Sequence, residues 1–196
     1  MMLHWITAPE PAAFPGLAID APLAVDRDQQ SPRFAQEREL ELRVRPLREQ
    51  WEAYGPGMLH RVRRSSAPNR PAMVICIPPS GNLGGGWPLL PPSPDQANPA
   101  SQDRPIQVVM QAVLTNPHPS LPECVRLAWL LLVAEAWASD SQEPWVAAAK
   151  RDPRELIAPV LEAAEWVELV RADEATLALA SRVWYQTPFP VYNPAP

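Results

Sequence analysis

Residues 105–139 read PIQVVMQAVLTNPHPSLPECVRLAWLLLVAEAWAS, the most apolar stretch of the chain. Its first part predicts a strand, because one face of the alternating pattern is wholly apolar: Ile106, Val108, Met110, Ala112 and Leu114. Asn116, Pro117 and Pro119 end this strand, since proline removes a ladder donor and asparagine accepts turn geometry. The stretch therefore begins with a strand and a tight polar turn.

The second part of the stretch predicts a buried helix. Ser120 and Glu123 form the S-x-x-E capping box of a helix start, and Pro122 fits the first turn, where a missing N–H costs nothing. Every residue from 127 to 134 is apolar, so the helix must be surrounded by protein or lipid. This run is far shorter than the roughly 20 residues that cross a membrane. We predict a central core helix and no membrane span.

The length of 196 residues suits one domain with a proper core and long arms. The 27 prolines are more than double the usual share of about 5%. We predict a Pro-rich arm over residues 1–32, a domain over 33–185 with a Gly/Pro-rich loop at 78–104, and a Pro-rich tail over 186–196. The predicted fold class is α+β, a single domain in which a small sheet of about three strands packs against helices.

Residues 38–44 fit two patterns. Leu40, Leu42 and Val44 alternate with charged residues as in a half-exposed strand, yet the apolar residues from Leu40 to Met58 also recur at helical spacing. Pro46 would break a helix but is well suited to begin one. We therefore predict a strand at 38–44 and a helix from Pro46 that is interrupted at residues 55–57 and restarts from Pro56 to about Arg64. A short strand at 73–77 and helices at 144–151, 153–170 and 173–185 complete the prediction.

Charge and cysteine usage limit the function classes. The net charge is −5 and the pI is about 5.2, which argues against a nucleic-acid-binding protein. Cys76 and Cys124 lie in apolar segments, which indicates buried thiols in a reducing compartment. The first residues lack the basic and apolar regions of a signal peptide, so the expected location is the cytoplasm.

Three patterns of catalytic or metal chemistry are absent. The glycine cluster at 81–86 is followed by Trp87 and Pro88 instead of the Lys-Ser or Lys-Thr of a phosphate loop. His4, His60 and His118 are isolated and show no zinc-site spacing. Neither cysteine has a base beside it in sequence. We predict no metal and no cofactor.

Two groups of residues are candidates for binding. Aromatic and apolar residues in the arms and the loop are candidate contacts with a protein partner: Trp5, Phe14, Trp87, Leu89, Leu90, Phe189 and Tyr192. Arg61, Arg63 and Arg64 form a basic cluster, which indicates either an anion site or a solvated helix end that complements the helix dipole.

The predicted order is strand, helix, strand, Gly-rich loop, long strand and helix, which resembles the minimal core of zincin metallopeptidases. Their active helix carries H-E-x-x-H, two zinc ligands one turn apart with a glutamate base between them. This chain has the sequence PECVR at residues 122–126, in which only Glu123 fits. The resemblance implies an inactive, zinc-free relative in which Arg126 pairs with Glu123.

Three functions are consistent with these patterns. The leading hypothesis is a non-catalytic structural or interaction protein, a subunit of a larger assembly that binds protein partners through its Pro-rich arms and loop. The first alternative is a hydrolase, with or without a metal, in which the 79–104 loop closes over Glu123 and His118. The second alternative is a regulatory domain that binds an anion at Arg61, Arg63 and Arg64. The oligomeric state does not follow from the sequence.

Overall fold

The computed structural model describes residues 3–7, 32–63, 71–77, 86–89, 106–111 and 121–185. In chain order the elements are β1 (Leu3–Thr7), α1 (Pro32–Arg63), β2 (Ala72–Ile77), β3 (Gly86–Leu89), β4 (Ile106–Gln111), α2 (Glu123–Trp137), α3 (Pro144–Arg151), a 3₁₀ turn (Pro153–Leu156), α4 (Ile157–Trp166) and α5 (Glu174–Tyr185). One small sheet and a set of helices confirm the predicted α+β single domain.

In the part of the chain that the structure describes, the sheet has four strands in the order β1-β2-β4-β3. Strands β1, β2 and β4 are parallel, and β3 pairs antiparallel with β4. Strands β2 and β4 are rich in β-branched residues, which fit a pleated buried surface. Their register pairs Val74 with Val108 and Cys76 with Met110, so buried apolar side chains share one face and join the helical core.

Helix α2 is the centre of that core, as its sequence predicts. Every residue from 124 to 136 is buried, because β4, α1, α3 and α4 all pack against it. Trp129 stacks on Trp184 of α5 with ring centroids 4.9 Å apart. The Trp129 indole N–H donates to the Pro153 carbonyl at 2.9 Å. One tryptophan therefore joins α2 to α5 and to the 3₁₀ turn.

The predicted strand at 38–44 is wrong, because these residues belong to α1. Leu40, Val44, Trp51 and Met58 are buried along one stripe of this helix, while Leu42 is 61% exposed. Helix α1 continues through Pro46 and Pro56. A proline inside a helix costs about 3 kcal/mol, and burial of a single large apolar side chain contributes about 1.5–3 kcal/mol. Several buried side chains thus outweigh each proline.

Strands β1 and β3 correct the prediction in two further places. Residues 3–7 lie in the predicted N-terminal arm and residues 86–89 in the predicted loop, yet both segments pair within the sheet. Within the described residues, the antiparallel strand β3 therefore adds to a parallel sheet of three strands. The rest of the arm, the loop and the tail lies outside the described residues, as does Ser120 of the predicted capping box. Helix α2 begins at Glu123, after Pro122 at the N-cap.

None of the helices that the structure describes has the length and apolar character to cross a membrane.

Candidate functional site

A groove of about 1030 Å³ lies between the C-terminal turns of α1 and the pair of helices α3 and α4. Its floor is apolar and is built from small or buried side chains, Gly57, Val62, Ala148, Leu156 and Ala163. These residues lie there because α1 and α4 pack directly against each other and α4 buries its Val160 and Leu161 face in the core. The opposite face of α4 is left to line the groove.

Two tryptophans stand at the groove. Trp166, in the last turn of α4, is 59% exposed although it is one of the largest apolar side chains of the domain. Trp145, at the start of α3, is half-buried, and its indole N–H donates to Glu143 at 2.8 Å. Aromatic side chains of this kind provide large contact areas with little rotamer freedom to lose on binding.

Arg61 lies over the exposed Trp166. Its guanidinium carbon is 5.4 Å from the centre of the Trp166 ring, which is cation–π distance. Such a contact contributes about 0.5–1 kcal/mol at an exposed site. Since Gly57 has no side chain and lies one turn before Arg61 on α1, the Trp166 ring also fits closely against that helix: a Cβ at position 57 would lie 3.6 Å from it. The aromatic wall is therefore held in place.

The charged side chains of the groove differ in their partners. Arg63 is nearly buried and forms an ion pair with Glu135 of α2. Glu155 forms an ion pair with Arg151, and Glu143 accepts the bond from Trp145. Arg61 and Glu162 are exposed, and neither forms an ion pair with another residue in the described ranges. Glu143 keeps its charge, because the indole that donates to it is neutral, so the groove presents carboxylates as well as the Arg61 cation to a ligand.

The structure brings together two of the three arginines of the predicted anion site. Arg61 and Arg63 both line the groove, and Arg64 lies outside the described residues. The sequence does not single out Trp145 or Trp166 as binding residues, and its pattern indicates only a solvated helix face for Glu162. The sequence does contain one indication that Trp166 is exposed. Trp166 follows Glu162 by four residues, so it falls on the outward, acidic side of the predicted helix. A tryptophan in that position breaks the amphipathic pattern.

Glu123 is at a second site, in the first turn of α2. The side chain is half-buried, and one carboxylate oxygen is buried without a hydrogen-bond partner among the described residues. Burial raises the pKa of Glu123, and the charge of Arg126 offsets part of that rise. Arg126 is itself 7% exposed, and burial lowers its pKa. The charges of the two side chains influence each other across one helical turn, although no salt bridge joins Arg126 to Glu123.

The predicted partner-binding residues lie in other parts of the chain than the groove residues. Trp5 of β1 is half-buried against the core, with the Arg48 guanidinium 5.6 Å from its ring centre. Trp87 and Leu89 lie in β3, whose side chains are outside the described ones. Phe14, Leu90, Phe189 and Tyr192 lie outside the described residues, as does the candidate catalytic His118.

The two thiols and the potential metal ligands support no reactive centre in the described part of the chain. Burial raises the pKa of Cys76 to about 12, against a smaller lowering by Arg48, and raises the pKa of Cys124 to about 11. Both thiols are therefore protonated at neutral pH and are weak nucleophiles. Within residues 3–7, 32–63, 71–77, 86–89, 106–111 and 121–185, no three His, Cys, Asp or Glu side chains are grouped to hold a metal.

Comparison of the chain with protein-family models, with curated proteins and with solved structures finds no match.

Proposed function

We propose that this protein is a non-catalytic interaction protein, a subunit of a larger assembly, that binds a segment of a protein partner in the groove between α1, α3 and α4. The observation that carries the proposal is Trp166, which is 59% exposed at the edge of a groove of about 1030 Å³. Large exposed aromatic residues beside an apolar depression are typical of sites where a partner binds.

Trp166 is the most exposed tryptophan among those with described side chains, and three others contrast with it fully. Trp51, Trp129 and Trp184 are buried, so the core of this fold accommodates tryptophan side chains. Trp166 is instead at the surface in contact with Arg61. Because this contact already restricts the tryptophan side chain, binding of a partner would cost little side-chain entropy there. The apolar floor offers the desolvated centre, and the charges around it offer the polar rim, of a protein interface.

Two further parts of the proposal rest on composition. The pI of about 5.2 supports a protein partner over a nucleic acid. The two free, buried cysteines support a cytoplasmic location, where thiols stay reduced.

Affinity capture from the native source tests the proposal. We expect the tagged wild-type protein and the Leu42→Ala variant to retain the same partner, and the Trp166→Ala variant to lose at least nine tenths of it, about the tenfold change that 1.4 kcal/mol produces. Leu42 is the matched control, since it is 61% exposed on α1 and does not line the groove. Equal retention by all three proteins would contradict the proposal.

A hydrolase is the second candidate, and the buried carboxyl of Glu123 is the observation that favours it. A carboxyl whose pKa is raised by burial is a common general acid or base. The zincin resemblance is a layout argument only: the observed order β1-α1-β2-β3-β4-α2 has β1 in place of the predicted strand at 38–44 and has the additional strand β3 within the predicted Gly-rich loop. The zinc site of that family does not fit, because Pro122 and Arg126 stand where its ligands would be.

Hydrolysis assays with panels of ester, peptide and phosphate substrates test this second candidate. Metal-independent turnover that falls at least a hundredfold in Glu123→Gln, about the effect of removing a general acid or base, would support it. Turnover that is absent, or that is unchanged in the variant, would exclude Glu123 as a catalytic residue. Metal analysis of the purified protein separates a zinc-dependent activity from this one.

A further inference from the structure

We infer that the partner segment bound in the groove is acidic and that Arg61 recognises one of its carboxylates. This inference rests on the proposed function and adds the chemistry of the partner to it. It follows from the partners that the charged side chains around the groove already have within the domain.

Among the described residues that line the groove, Arg61 is the arginine whose N–H donors no ion pair uses. Its contact with Trp166 uses the positive charge against the face of the ring and consumes no N–H donor. Arg63, the other arginine of the groove, is committed to Glu135 inside the domain. The planar guanidinium of arginine matches a carboxylate with two parallel hydrogen bonds. A guanidinium held over an indole is therefore a pre-formed carboxylate receptor.

Glu162 gives the site a direction. It precedes Trp166 by four residues on α4, so it lies one helical turn away along the groove. A carboxylate of the partner would be attracted at the Arg61 and Trp166 end and repelled at the Glu162 end. The segment should therefore place an acidic residue beside Trp166 and a neutral or basic residue near Glu162.

The overall charge of the protein makes such recognition specific. A net charge of −5 repels anions from most of the surface, so an acidic segment would bind where a local cation and an apolar contact act together. Removal of Arg61 should consequently abolish the acidic preference and leave the apolar contact in place.

Selection from a displayed library of random peptides tests the inference on the full chain. The baits are the wild-type protein, Arg61→Gln, Trp166→Ala and the control Arg182→Gln, which removes the same charge from an exposed position on α5. We expect wild type and Arg182→Gln to enrich peptides with Asp or Glu next to an apolar residue. Arg61→Gln should lose that enrichment and bind the selected peptides on the order of tenfold more weakly.

The other outcomes separate the inference from the proposed function. Peptides that depend on Trp166 but lack acidic residues, or acidic peptides that Arg61→Gln binds equally well, would overturn the inference and leave the groove as a binding site. Wild type that enriches nothing beyond Trp166→Ala would overturn both. Thermal unfolding of each variant shows whether it is folded, and Arg61→Ala, which also removes the charge, replaces Arg61→Gln if that variant is not.

Discussion

Glu168 has a left-handed backbone conformation, with φ at 59°. It follows the end of α4, where its N–H donates to the Glu165 carbonyl at 2.8 Å and the N–H of Leu169 donates to the Ala164 carbonyl at 3.0 Å. This pair of bonds is the Schellman arrangement, in which glycine is the usual left-handed residue. A glutamate there has a Cβ that opposes the conformation. The end of α4 is therefore strained at one residue.

Glu168→Gly should stabilise the protein by about 1 kcal/mol, because glycine adopts positive φ without the steric penalty of a side chain. Chemical denaturation measures the change as a shift of the midpoint at unchanged slope. Glu165→Gly is the control, since Glu165 is exposed within α4 and glycine there should destabilise by about 1 kcal/mol. Destabilisation by both substitutions would contradict the assignment.

Glu123 makes stability depend on pH in a defined direction. Burial raises the pKa of its carboxyl in the folded state, so the folded protein favours the protonated form. The stabilisation is complete at pH values below the unfolded pKa, near 4.5, and is lost as pH rises through the higher folded pKa. Glutamine resembles the protonated carboxyl at all pH values.

Glu123→Gln should therefore be more stable than wild type at pH 7, and the difference should shrink to near zero as pH falls toward 4. Denaturant unfolding at several pH values measures this difference. Glu41→Gln on the exposed side of α1 is the control and should show no comparable trend. A Glu123→Gln variant that is less stable than wild type at pH 7 would show that the ion-pairing contribution of Arg126 exceeds the cost of burial.

At the scale of the element, α1 is a 32-residue helix that contains Pro46, Gly55, Pro56 and Gly57. Gly55 is required by packing, because a Cβ at this position would lie 2.3 Å from the buried Trp51 ring. Gly57 is not required in this way, since a Cβ there would meet Trp166 at 3.6 Å, an ordinary contact distance. The two glycines of one short motif thus differ in their structural role.

Gly55→Ala should destabilise the protein by about 1–3 kcal/mol, because the tryptophan ring or the helix must shift to admit the methyl group. Gly57→Ala is the matched control and should be neutral or should stabilise by up to about 1 kcal/mol, since alanine is the better helix former. Thermal unfolding of the two variants under one condition compares them. Equal effects would show that the Trp51 contact does not determine the outcome.

At the scale of the whole molecule, a buried ion pair joins the two long helices. Arg63 ends α1 and Glu135 lies near the end of α2, and both side chains are at least nine tenths buried. The residues are 72 positions apart, so the pair forms only when the domain is assembled. Buried pairs of this kind are costly to break and often contribute little in total, because their desolvation offsets their attraction.

Arg63→Met and Glu135→Leu should each destabilise by about 3–5 kcal/mol, because each leaves a buried charge without its main partner. The double variant should lose less free energy of unfolding than either single variant, because it leaves no buried charge behind. A double-mutant cycle of unfolding free energies measures the coupling. Single effects that simply add in the double variant would show that the pair does not act as a unit.

The chain's own pattern determined the elements whose signals are local. The all-apolar run of α2 indicates a buried helix, and the apolar alternation of β4 indicates a buried strand. Both signals lie within the element itself, so both elements were predictable from the sequence. Helix α3 was also predicted with its observed bounds, because Pro144 at its first position is a local start signal. The basic cluster that contains Arg61 and Arg63 was visible in the same way.

Only the tertiary structure decided the features that depend on distant partners. Residues 3–7 are a strand because β2, almost 70 positions away, pairs with them, and residues 38–44 are a helix because their buried stripe packs against other helices. Arg63 binds Glu135 while Arg61 faces the groove, a difference that two similar residues two positions apart do not show in sequence. Apart from proline, local propensities differ by about 1 kcal/mol or less per residue, whereas the burial of several side chains supplies several times that and also exceeds the cost of a proline.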